Sequence, residues 1–151
     1  MITDRTQQDV DNALNIRKEK VQKFVALDNN DIEILEKGFV TINTLNRVEE
    51  KQNELKELLN QMGYWNTPII NKLWDKSKIF DENDLKRLFN NTEVLKKAFF
   101  EKEGTPETPL PSYYWQNWND LEQILVEIED MITIVKNNYV ECGNIECGGT
   151  G

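Results

Sequence analysis

Three separated stretches of this chain carry one apolar seam. Leu45, Val48, Gln52, Leu55 and Leu59 fall in register with Leu85, Leu88, Thr92, Leu95 and Phe99, and again with Leu121, Ile124, Ile128, Met131 and Val135. Alternating three- and four-residue steps put such positions on one stripe of an α-helix and suit a bundle. Each fully buried Leu or Ile contributes about 1.5–3 kcal/mol relative to exposure, which offsets the ordering entropy only if the three stripes meet. The expected fold is therefore all-α, an antiparallel helical bundle of heptad-patterned helices. Gln52 and Thr92 share a layer of the repeat. Either they hydrogen-bond and set the register of their helices, or the stripe is wide there and both reach solvent.

Capping chemistry places the boundaries. Thr6, with Asp9 three residues on, opens a helix over about residues 7–26. A short helical turn over Ile32–Lys37 is stopped by Gly38 in the left-handed position. Thr41 and Gly63 bracket the second seam, and Thr67-Pro68 starts a short helix through Ile69, Ile70, Leu73 and Trp74 that ends near Ser77 and lids the bundle. Asp81 and Asp84 open the next long helix. Between Lys102 and Ser112, Gly104, Pro106, Pro109 and Pro111 force an extended crossing, and the last helix runs from about Trp115 to Asn137. The chain divides into a helical bundle domain, 1–138, and an extended C-terminal segment, 139–151.

Leu, Ile, Val and Phe supply 42 of the 151 residues, well above the roughly 20% below which a charged chain stays disordered. A net charge of −9 argues against nucleic acid as a partner. The absence of His removes imidazole ligands, Ser-His and Cys-His nucleophile pairs and the usual base near neutral pH, so no enzyme is expected. No run approaches the roughly 20 apolar residues of a membrane span, and none near the start has the form of a secretory signal. Synthesis in a cytoplasm without membrane insertion is the expectation.

Asp28-Asn29-Asn30-Asp31 and Asp81-Glu82-Asn83-Asp84 begin like calcium loops, but Ile32-Glu33 and Leu85-Lys86 stand where an oxygen ligand and Gly are required. Both read as helix caps. Two thiols without imidazole make a poor zinc set, so no metal or cofactor is expected. Tyr113, Tyr114, Trp115 and Trp118 form the densest aromatic cluster. Their spacing continues the last seam and favours packing, with glycan stacking as the alternative. The ending repeats Glu-Cys-Gly at Glu141-Cys142-Gly143 and Glu146-Cys147-Gly148. It is either a frayed tail or an extended segment pairing with a partner's sheet edge, through Val140, Cys142, Gly143, Ile145, Cys147, Gly148 and Gly149.

Several stretches taken together carry a resemblance: Asp4-Arg5-Thr6-Gln7-Gln8-Asp9-Val10-Asp11, Leu45-Asn46-Arg47-Val48-Glu49, and Asn119-Asp120-Leu121-Glu122 with Ile124-Leu125, before the doubled Cys-Gly ending. They resemble a family of small helical proteins encoded among the structural genes of tailed bacteriophages and prophages of low-GC Gram-positive bacteria, near tail-tip, baseplate or fibre genes. That family commonly has Ser-Gly-Glu where this chain has Cys-Gly. The resemblance implies a non-enzymatic virion component of the tail, present as a homo-oligomer and bound to other tail, baseplate or fibre proteins. It implies no catalytic residues. Two alternatives are a host-surface module binding cell-wall glycan and an acidic intracellular inhibitor or antitoxin-like protein.

Overall fold

The computed structural model describes residues 1–64 and 67–146, with side chains outside 139–146. Helix α1, Gln7–Ile16, opens on a reciprocal box in which Asp9 N–H donates to Thr6 Oγ1 and the Asp9 carboxylate accepts Thr6 N–H at 2.7 Å. A wider π-type turn, Arg17–Val21, extends it. It stops short of the expected residue 26 because Phe24 adopts a left-handed φ of 54° and turns the chain. Helix α2, Asn29–Gly38, starts on a matching Asp28/Asp31 box. Lys20–Asp31 at 2.5 Å and Lys37–Asp9 at 3.6 Å show α1 and α2 to be an antiparallel hairpin. Gly38 is not the left-handed stop that its position suggested. It lies inside α2, where a Cβ would overlap Ala13 Cβ and the Asp9 carbonyl oxygen, so its role is close helix approach.

Helices α3, Ile42–Gln61, α4, Glu82–Ala98, and α5, Trp115–Glu146, form the bundle. Thr41 and Asp81 cap the first two as expected, and Gly63 at φ 94° ends α3. The three seams meet: Val48, Leu55, Leu59, Leu88, Leu95, Leu121 and Ile124 are fully buried. Their direction differs from expectation. Contacts advance together along all three helices, from Arg47–Glu122 to Lys51–Glu129, from Glu49–Arg87 to Gln52–Thr92, and from Phe89–Trp118 onward to Lys102–Glu127. The bundle is parallel, not antiparallel. A heptad stripe reads alike in both directions, and the connections decide; residues 67–81 and 99–114 each run back along the bundle to its starting end.

Chain length permits this return. The 20 residues of α3 span about 30 Å, whereas extended chain covers ~3.3 Å per residue. The first return was expected to hold a short helix starting at Thr67-Pro68 and ending near Ser77, and none forms. Side chains of α3 and α4 take up its backbone groups instead. Asn46 Oδ1 accepts Trp74 N–H at 2.7 Å, Asn46 Nδ2 donates to Trp74 O at 2.9 Å, and Glu49 accepts Lys72 N–H at 3.1 Å. Asn91 and Arg87 both donate to Ile70 O. With the backbone so satisfied, Ile69 and Trp74 pack into the core without helix.

In the central layer Gln52 Nε2 donates to Thr92 Oγ1 at 2.9 Å and to Leu88 O at 2.8 Å, while Asn91 Nδ2 donates to Gln52 Oε1 at 3.2 Å. Gln52 and Thr92 are fully buried, which resolves the two possibilities in favour of pairing. The C-terminal segment also differs from expectation. Residues 139–146 continue α5 as helix rather than running extended, since one interior glycine, Gly143, costs only about 1 kcal/mol. Residues 147–151, including Cys147, Gly148 and Gly149, lie outside the described residues.

Candidate binding groove

Two buried carboxylates hold the irregular segments to the bundle. Glu122 on α5, with no exposed surface, accepts from Arg5 Nη2 at 2.6 Å, from Arg47 Nη2 at 3.0 Å and from the Ile2 N–H at 2.5 Å. Asn119 joins it by accepting the Arg5 N–H at 3.1 Å and donating to Arg5 O at 2.9 Å. The amino-terminal arm is thereby fastened across α3 and α5. Glu49 on α3 does the same for the first return, pairing with Arg87 and accepting Trp74 Nε1–H at 3.0 Å. Removing two charges from water costs several kcal/mol per ion, so each carboxylate is surrounded by donors.

The fastened arm sets the hairpin beside the starting end of the bundle and leaves a groove of about 840 Å³ between them. One wall is the stripe of Gln7 and Val10 on α1 with Arg17 and Val21 on the π-type turn that extends it; a second is the α2–α3 corner, with Phe39, Ile42 and Leu45; the third holds Phe80, Tyr113, Tyr114, Trp115 and Trp118. Among the described residues no Asp or Glu lines it, in a chain with 27 of them. Lys20 and Lys23 of the neighbouring turn are engaged by Asp31 and Glu19, while Arg17 has no ion-pair partner among the described residues. Because α3, α4 and α5 all begin at this end, their dipoles add to a positive potential there.

The sequence-predicted aromatic cluster splits. Trp118 belongs to the core, edge-to-face with Phe89 at 5.7 Å, and its indole N–H is buried without an acceptor among the described residues. Tyr113 and Tyr114 are 59% and 74% exposed. Trp115 is half-buried and donates from Nε1 to Gln7 Oε1 at 3.4 Å. Tyr113 packs edge-to-face on Phe80 at 6.2 Å. The C-terminal positions Val140, Cys142, Gly143 and Ile145 lie on the helical backbone of α5, a course that does not suit pairing with a sheet edge.

Both acidic clusters are caps. The Thr6 hydroxyl beside Asp9 holds its carboxyl below the usual aspartate range, and the Lys20 ammonium does so for Asp31. For Asp84 burial acts upward, but Lys72 and the Asp81 cap outweigh it and the net shift is downward. Among the described residues no group of three or more His, Cys, Asp or Glu could hold a metal ion, and no helix is long and apolar enough to cross a membrane. Sequence reasoning missed Arg17, Phe39 and Phe80 as groove residues and Glu49 and Glu122 as anchors. The only signal for the anchors was a carboxylate directly after a seam residue, Val48-Glu49 and Leu121-Glu122. Compared with protein-family models, curated proteins and solved structures, the chain matches none of them.

Proposed function

We propose that this protein is a non-enzymatic structural component of a phage tail, a baseplate or fibre-attachment adaptor that assembles through protein–protein contacts with itself and with other tail proteins. The observation that carries the reading is the open apolar groove: six aromatic residues and Arg17 line it, without the paired acid, base or nucleophile of a reaction centre among the described residues. A rigid bundle with its irregular segments fastened by buried ion pairs suits a part that transmits position. The resemblance of the Asp4–Asp11, Leu45–Glu49 and Asn119–Glu122 stretches to phage tail-region proteins supplies the virion setting. Co-expression with the products of the flanking genes, followed by size-exclusion chromatography and native mass spectrometry, tests the reading. Co-elution at a fixed ratio is expected; a monomer retained by none of those products overturns it.

A second reading rests on Tyr113 and Tyr114, whose exposed rings beside Trp115 offer faces for sugar stacking. It makes the protein a host-surface module. Binding to purified cell-wall polysaccharide that is lost on Tyr114→Ala, with helicity retained, is its expected signature.

A further inference from the structure

We propose that the groove between the α1–α2 hairpin and the bundle is the docking site for one acidic amphipathic helix of a partner protein. The proposal rests on the adaptor reading and names the chemistry of the partner. Shape is the first argument. The wall from Gln7 to Val21 spans 15 residues, about 21 Å of helix from first to last, beside a groove of about 840 Å³. That admits a row of side chains projecting from a helix lying along the opening. Apolar residues recurring at three- and four-residue steps on the partner would fill such a trough.

Charge is the second. Among the described residues no carboxylate lines the groove, although the chain carries nine more negative than positive charges, and Arg17 stands there without an ion-pair partner. A basic helix would find no counter-charge along the lining, whereas Glu or Asp flanking the apolar row would meet Arg17.

The test titrates the full chain with a synthetic, end-blocked peptide of about 18 residues, with Leu at i, i+3, i+4 and i+7 and Glu on the flanks, and with a second peptide carrying Lys for Glu. Calorimetry and the change in intrinsic tryptophan fluorescence report binding. The Glu peptide is expected to bind and the Lys peptide not; Arg17→Glu is expected to weaken the Glu peptide about tenfold or more and to let the Lys peptide bind. Tyr114→Ala, whose side chain is mostly exposed, checks the groove without threatening the fold, and circular dichroism confirms that both variants stay helical. Absence of binding, equal binding of both peptides, or indifference to Arg17→Glu overturns the proposal. So does dodecanoate binding where the peptides fail, or a self-association that Arg17→Glu abolishes while no peptide binds. If Arg17→Glu and Tyr114→Ala still co-elute with a flanking gene product, the adaptor reading stands and this inference alone falls.

Discussion

Arg5 and Glu122 are 117 positions apart in the chain and 2.6 Å apart in the fold, in a pair almost wholly removed from water. This contact carries the amino-terminal arm onto α5 and so fixes where the hairpin, and one wall of the groove, can stand. Arg47 shares the same carboxylate. Glu122→Gln leaves two guanidinium groups facing a neutral amide in a buried site, and is expected to destabilise the protein by about 3–5 kcal/mol. Arg5→Ala should cost less, because Arg47 remains. Chemical denaturation gives the magnitudes, and amide exchange should show protection lost first at Ile2 and Arg5. Unchanged exchange there would mean that the arm is held by something else.

Gly38 faces Ala13 and the Asp9 carbonyl where α1 and α2 approach most closely. Gly38→Ala should overpack this crossing and cost about 1–3 kcal/mol. Because the Asp9 backbone is one of the obstacles, Ala13→Gly in the same chain should restore only part of the loss. Thermal melts of the two variants decide this. Full tolerance of the methyl group would show that the hairpin can splay.

Gln52→Leu leaves Asn91 and Thr92 without their buried partner and is expected to cost about 1–3 kcal/mol. Thr92→Val alone should cost less, since Gln52 Nε2 keeps Leu88 O. A double-mutant cycle between the two positions should yield a clear coupling energy; additive losses would place them apart in solution.

The cap carboxylates set an acid limit. Asp9 and Asp31 have folded pKa values below their usual range, through the Thr6 hydroxyl and the Lys20 ammonium respectively. Such groups stabilise the fold at any pH above the unfolded value of about 3.9, and the contribution is lost as the pH falls through the folded value. Asp31→Asn is expected to flatten the decline in melting temperature between pH about 5 and about 2. A decline as steep as that of the parent protein would remove Asp31 from the cause.

Phe24 stands in a left-handed turn at φ 54° with 96% of its surface exposed. A side chain in that region costs about 1–2 kcal/mol, and glycine adds unfolded-state entropy of ~0.5–1 kcal/mol. Phe24→Gly should therefore leave stability unchanged or raise it slightly. A loss measured by urea titration would show that the ring is packed rather than exposed in solution.

What could be read from the residues was local. The three seams, the Thr6, Asp28, Thr41 and Asp81 caps, the Gly63 stop and the Gln52–Thr92 pairing all follow from the 3.6-residue period and from unsatisfied amides at helix ends, which need only near neighbours in sequence. Helix direction, the helix-free course of residues 67–80 and the groove did not follow, because each depends on contacts between distant parts of the chain. An apolar stripe packs equally well from either end, so only Asn46, Glu49, Arg87 and Asn91, by taking up the backbone groups of a returning segment, bring the second helix alongside the first in the same direction. Long-range satisfaction of buried polar groups made that choice, and no local pattern encodes it.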